Sequence, residues 1–169
     1  PRISRTTDQM LQAARSGKQN IVEGSLASAV SKETEIRLTG VALASLGELR
    51  EDYRDFLRVA GADEWGRDHP SARRLSQLCR SVDADKYETF RSGIENDDSV
   101  ISANVLLGLS KVTIRLLKGQ LDRLERDFVQ HGGLRERMRR SRLAFRDQER
   151  ETASRRWELR ERLAGEGNR

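Results

Sequence analysis

Arg135, Arg139, Arg142 and Arg146 recur at spacings of four, three and four, so a helix through them carries four guanidiniums on one side. Arg137 and Arg140 fall in the same stretch, making six arginines in the twelve residues 135–146. A guanidinium is a permanently charged planar fork that grips phosphate with two parallel hydrogen bonds. A row of such groups, stepping about 5–6 Å per helical turn, approximates the phosphate spacing of a single nucleic-acid strand. The competing reading is a solvated helix whose arginines pair with Glu136, Asp147, Glu149 and Glu151. The net charge favours neither reading but locates the question. Residues 1–130 hold 20 basic and 20 acidic side chains, whereas residues 131–169 hold 12 arginines against seven acids, which accounts for the whole excess of +5. Arg15 and Lys18, on an earlier helix, are secondary candidates for the same role.

Other constellations point to structure rather than catalysis. Asn20 and Glu23 lie one turn apart beside Ile21, where a buried pair bonding toward Ser45 or Glu48 would fix helix register. The alternative, a catalytic carboxylate at Glu23, lacks a nucleophile, base or metal partner nearby in sequence. Glu48, Asp52 and Asp55 share a stripe that imitates a carboxylate metal site, but Arg50, Arg54 and Arg58 interleave with them as ion-pair partners. The two histidines, His69 and His131, have no ligand neighbours, and the single Cys79 has no partner for an internal disulfide. Phosphate loops, nucleophile elbows and paired C-x-x-C motifs are absent. The chain therefore reads as a non-enzyme without metal or cofactor.

The elements that position these residues are helices. With Thr6 or Thr7 as cap, residues 7–30 repeat Met10, Ala14, Gly17, Ile21 and Gly24 along a narrow seam. Ser31, followed by Glu33 and Glu35, starts a second helix over 31–60. Its inner face carries Thr39, Ala42, Leu46, Leu49, Tyr53, Phe56 and Ala60, and Gly61 stops it. Two short stretches, 71–81 and 84–92, form a broken third helix. From Asp98 or Ser99 to Gln130 runs the longest one, roughly 48 Å at 1.5 Å per residue, ended by Gly132-Gly133. Residues 134–163 continue as a thinly amphipathic extension lying along the bundle, frayed at its far end, with Leu134, Met138, Phe145, Leu159 and Leu163 as its stripe.

Composition narrows the class. Hydrophobic residues make up 36%, aromatics 5% and charged residues 35%, which argues against an aromatic-rich β-sandwich or a membrane protein. No apolar run approaches the roughly 20 residues of a bilayer span, and the N-terminal stretch lacks the apolar core of a signal peptide. The expectation is a cytoplasmic all-α protein: an antiparallel up-and-down four-helix bundle over 1–131, with a broken third helix and an Arg-rich helical extension over 132–169.

Three segments carry a family resemblance: SGKQNIVEGS (16–25), SKETEIRL (31–38) and ASLGEL (44–49). The pieces N-I-x-E-G and S-L-x-E-L, about 25 residues apart, resemble the four-helix-bundle family encoded by intervening sequences of 23S ribosomal RNA genes. That family is related to the accessory variability determinant of diversity-generating retroelements. The later stretch, NVLLGLSKVTIRLLKGQLDRLERDFVQHGGLRERMRRSRLAFR, resembles the suffix-domain form of the family. The resemblance implies a ring-forming homo-oligomer, commonly a pentamer, and binding to RNA or DNA and to a reverse transcriptase. The residues alone support weakly sequence-specific binding to a nucleic-acid backbone. The rival expectation is an assembly or adaptor protein that presents the apolar stretch 106–117 to another protein and never meets nucleic acid.

Overall fold

A computed structural model describes the backbone of residues 2–166 and the side chains of residues 5–161. Helix α1 spans Arg2–Ala27 and α2 spans Lys32–Val59. The next segment contains α3 (Pro70–Leu78), a single 3-10 turn (Tyr87–Thr89) and α4 (Arg91–Ile94). Helix α5 covers Ser99–His131 and α6 covers Leu134–Glu166. No strand occurs among the described residues. The protein is an all-α antiparallel bundle with a broken third helix, as the periodicity predicts.

Local signals act where the sequence places them. The Ser31 hydroxyl accepts from the Thr34 backbone N–H, and the Asp98 carboxylate accepts from that of Val100. After α2, Gly61 takes a left-handed φ of 67° while Ala62 N–H reaches back to the Leu57 carbonyl, closing the helix end. Gly132 does the same for α5 with φ 69° and a bond from its N–H to the Phe128 carbonyl. The start of α1 differs: the helix is already formed at Arg2, so neither Thr6 nor Thr7 caps it.

The four-residue link between α1 and α2 forces them antiparallel. Gly17 lies against Leu46 and Gly24 against Leu38, so residue numbers rise on one helix as they fall on the other. A Cβ at Gly17 would stand 3.2 Å from two Leu46 side-chain carbons, so this glycine holds the helices close. Gly24 lies inside the helix rather than at its end. Leu46 and Leu49 also share a cluster with Ile114 and Leu117 of α5, and Leu57 shares one with Ala103 and Leu107. Helix α2 is thus antiparallel to α5 as well, and sits between the two.

This register keeps residues 61–98 at one end. Leu75, Phe90 and Val105 form a third cluster, with Trp65, Leu78, Ile94 and Ile101 packed around it, so the broken third helix covers the first turns of α5. Asn104, buried in α5, ties down the entry to this segment. Its amide oxygen accepts from Trp65 N–H at 2.8 Å, and its amide nitrogen donates to the carbonyls of Asp63 and Val100. The segment 99–161, made of α5 and α6, contains an 18-residue window of mean hydropathy 1.5, of which 39% is buried. That window is long and apolar enough to cross a membrane by length and composition alone, whereas no such stretch is expected from the sequence. Its apolar side chains serve here as the core of the bundle.

Most of the expected inner face of α2 is inside, with two exceptions. Ala60 is exposed, and Leu57, not expected at the seam, is among the most completely buried side chains. Leu46→Ala is expected to cost about 2–5 kcal/mol in urea unfolding, because it empties the contact between three helices. Gly47, one position on, faces open space. Gly47→Ala should therefore stabilise by about 0.5–1 kcal/mol. A stabilising Leu46→Ala or a destabilising Gly47→Ala would place the wrong side of α2 inside.

Candidate nucleic-acid interface

Helix α6 begins where Gly132 ends α5. Glu136 turns back to accept the Gly133 N–H at 2.7 Å, which secures its first turn. Beyond that turn α6 packs along none of the other helices. Every described side chain from Leu134 to Glu161 is exposed. The expected extension lying along the bundle is therefore a helix standing off it. The reason is compositional: the stripe is too thin to offset desolvation of the charges around it. Helical backbone continues to Glu166, and the expected fraying beyond it falls on 167–169, outside the described residues.

Arg135, Arg139, Arg142 and Arg146 share one side of α6, as their spacing requires. None has an ion-pair partner among the described residues. Asp147 and Glu149 accept no arginine, Glu136 is committed to the Gly133 N–H, and Glu151 pairs only with Arg155, at 3.9 Å. Arg140 donates to the His131 carbonyl at the end of α5. That carbonyl is one of the orphans a helix end leaves, so Arg140 closes the α5 terminus as well as adding charge. The pairs that would turn this face into a solvated, self-neutralised surface are not made.

The same face is not apolar enough to be a core. Met138, Phe145, Trp157 and Leu159 are 48–61% exposed, scattered among the charges. Among its described side chains, 134–161, this helix is exposed on all sides and holds one long ion pair, so it lacks tertiary support. Arg15 and Lys18 are also exposed, but on α1, and α6 does not pack against that helix.

The polar pair expected on α1 does not form. Asn20 donates to the carbonyl of Ser16 at 2.8 Å, its own helix, and it is Ser16 whose hydroxyl meets that of Ser45 at 2.8 Å. Glu23 is exposed and makes no described contact with Asn20. The correction has a simple geometric cause: Ser16 stands one turn earlier and faces α2, and its short side chain fits the close α1–α2 approach. A serine in the seam opposite another serine is a signal the sequence carries, but it is easily passed over beside the longer Asn and Glu.

The carboxylate stripe resolves into ion pairs and a repelled remainder. Arg58 pairs with Asp55 at 2.6 Å, whereas Arg50 and Arg54 turn to Glu51, which their hydrogen bonds hold below the usual carboxylate range. Partial burial, and then the neighbouring Asp55 and Glu48, push the Asp52 carboxyl up. Among the described residues, no three His, Cys, Asp or Glu side chains converge on a metal position. Arg54 also reaches Glu64 at 2.9 Å, and Lys111 of α5 donates to the same carboxylate. This chain stitches α2 to α5 through the loop that follows α2.

No known family model matches the chain, and no curated protein or solved structure is similar enough to be matched to it. The site accordingly stands on its own geometry.

Because α6 packs along no other helix and meets α5 only at its last turn, ending the chain after Gly133 should leave the thermal midpoint of the bundle within about 2 °C of the full chain, followed by circular dichroism. A fall of many degrees would show that α6 packs on the bundle in solution.

Proposed function

We propose that the protein is a non-enzymatic, homo-oligomeric helical bundle that binds the backbone of RNA or DNA, alone or within a protein–RNA complex, through the arginines of α6. The observation that carries this reading is electrostatic. Residues 134–146 hold six arginines and one acid, Glu136, and that acid is already occupied by a backbone N–H. Four unpaired guanidiniums on one exposed helical face form a ready ligand for phosphates. Several copies in a ring would multiply the field and turn modest single contacts into avidity. With no base-reading element beside them, the contacts fix position rather than sequence. The sequence resemblance supports an accessory role beside a reverse transcriptase and a ring, commonly a pentamer in that family; the cytoplasmic location proposed with it rests on composition.

A second reading draws on the exposed apolar side chains of the same helix. Met138, Phe145, Trp157 and Leu159 offer anchors to a protein partner, and the molecule then acts as an adaptor without nucleic-acid contact.

Fluorescence anisotropy with a labelled single-stranded RNA separates the two. Binding is expected at 50 mM salt, with log affinity falling against log salt by about 0.7 per phosphate contacted. Replacing Arg135, Arg139, Arg142 and Arg146 together by Ala should flatten that slope and weaken binding at least tenfold, since each charged contact contributes about 1.5–3 kcal/mol. The bundle's melting temperature should not move. Undetectable RNA binding by the wild-type chain would decide for the adaptor, and light scattering that finds only single chains would remove the ring.

A further inference from the structure

A second positively charged feature lies apart from α6 in sequence, where the loop after α2, α3 and the middle of α5 line a groove of about 660 Å3. Its lining contains five cations, Arg67, Arg73, Arg80, Lys111 and Arg115, against one acid, Glu64. Residues 1–130 are neutral overall, so this concentration is made by the fold and not by composition.

The acid in the groove is already used. Glu64 accepts from Arg54 at 2.9 Å and from Lys111. Arg73 pairs with Asp68 at 2.8 Å, an exposed contact that exchanges readily. Arg80 donates only to the neutral Ser76 hydroxyl, at 2.8 Å, and neither Arg67 nor Arg115 has an ion-pair partner among the described residues. Arg80, in the turn after α3, and Arg115, in α5, both draw the Cys79 pKa down against the larger upward push of burial. Two guanidiniums distant in sequence thus line the same groove beside Cys79. Lys111 is held below the usual lysine range by burial first and then by Arg54 and Arg50.

The walls fit an organic phosphate better than a bare ion. Gly108 and Val112 contribute apolar atoms to the lining, and Trp65 an aromatic ring that stacks on His69 at 5.0 Å. The volume lies in the range of small-ligand sites, roughly 300–1,000 Å3, and convergent arginines are the usual partners of terminal phosphates. We infer that this groove is a binding site for a phosphate-bearing ligand of nucleotide size, with Arg67, Arg80 and Arg115 as its anchors. The ligand is either a free nucleotide or the phosphorylated end of a nucleic-acid strand, since both present the same terminal phosphate. The inference does not rest on the role proposed for α6.

Calorimetric titration of the full-length chain tests it with three probes: ATP, and one short RNA with or without a 5′-phosphate. The RNA arms use the variant lacking the four α6 arginines, so that backbone binding through α6 does not mask them. Saturable binding of ATP, or of the phosphorylated RNA in preference to its unphosphorylated twin, is expected. The first outcome identifies a free nucleotide and the second a strand end. Combining Arg80→Ala with Arg115→Ala should weaken whichever binds at least tenfold, because two charge-assisted contacts to phosphate are lost together. Both side chains are exposed, so the melting curve of the double variant should match that of its parent. The inference fails if neither ATP nor phosphorylated RNA binds at 50 mM salt, or if binding is indifferent to the double variant. Loss of RNA binding on removing the α6 arginines, with ATP binding retained, tells the two sites apart.

Discussion

The arrangement depends on how closely α1 can approach α2. Gly17 and Gly24 remove the side chains that would hold these helices apart, and Leu46 and Leu38 fill the space they leave. Because Leu46 also meets Ile114 and Leu117, the same residue that closes the first hairpin seats α5 against it. Close packing of this kind has little tolerance for added or missing volume. The neighbouring serines exploit the same short distance: Ser16 and Ser45 meet hydroxyl to hydroxyl, so the polar atoms in the seam satisfy one another.

From that hairpin the rest follows by satisfaction of loose ends. Helix α5 is apolar around most of its first half, more than α2 alone can cover. The broken third helix folds back over the exposed side, with Leu75 and Phe90 against Val105, and Asn104 secures the loop that leads into it. Leu75 presses so near Gly108 that a Cβ there would stand 2.5 Å from its side chain. The charged chain Arg50–Glu51–Arg54–Glu64–Lys111 then crosses from α2 to α5 at the rim of the groove. Those pairs are partly exposed and add little stability each, but they consume the carboxylates that would otherwise neutralise the arginines beyond them.

The two basic regions arise by different routes. On α6 the excess is written into the composition, twelve arginines in the last 39 residues, and the helix merely arrays them. In the groove, the cations come from a loop, from α3 and from α5, and only folding gathers them. Both have the same physical character: guanidiniums whose nearby acids are absent or already committed.

Helix positions, the caps at Ser31 and Asp98, the stops at Gly61 and Gly132, and most of the α2 face are legible in the sequence, because each is set within a few residues by capping, glycine conformation or 3.6-residue periodicity. The spacing that aligns Arg135, Arg139, Arg142 and Arg146 is equally local. Whether those arginines pair with acids is not, since every acid within a turn or two is a possible partner until the rotamers are known. Nor does periodicity reveal that Leu57 is buried deeper than Tyr53, that Ser16 rather than Asn20 bonds Ser45, or that α6 leaves the bundle. Each of these depends on which helix stands opposite, at what distance and in what register, and that is fixed by packing between segments tens of residues apart.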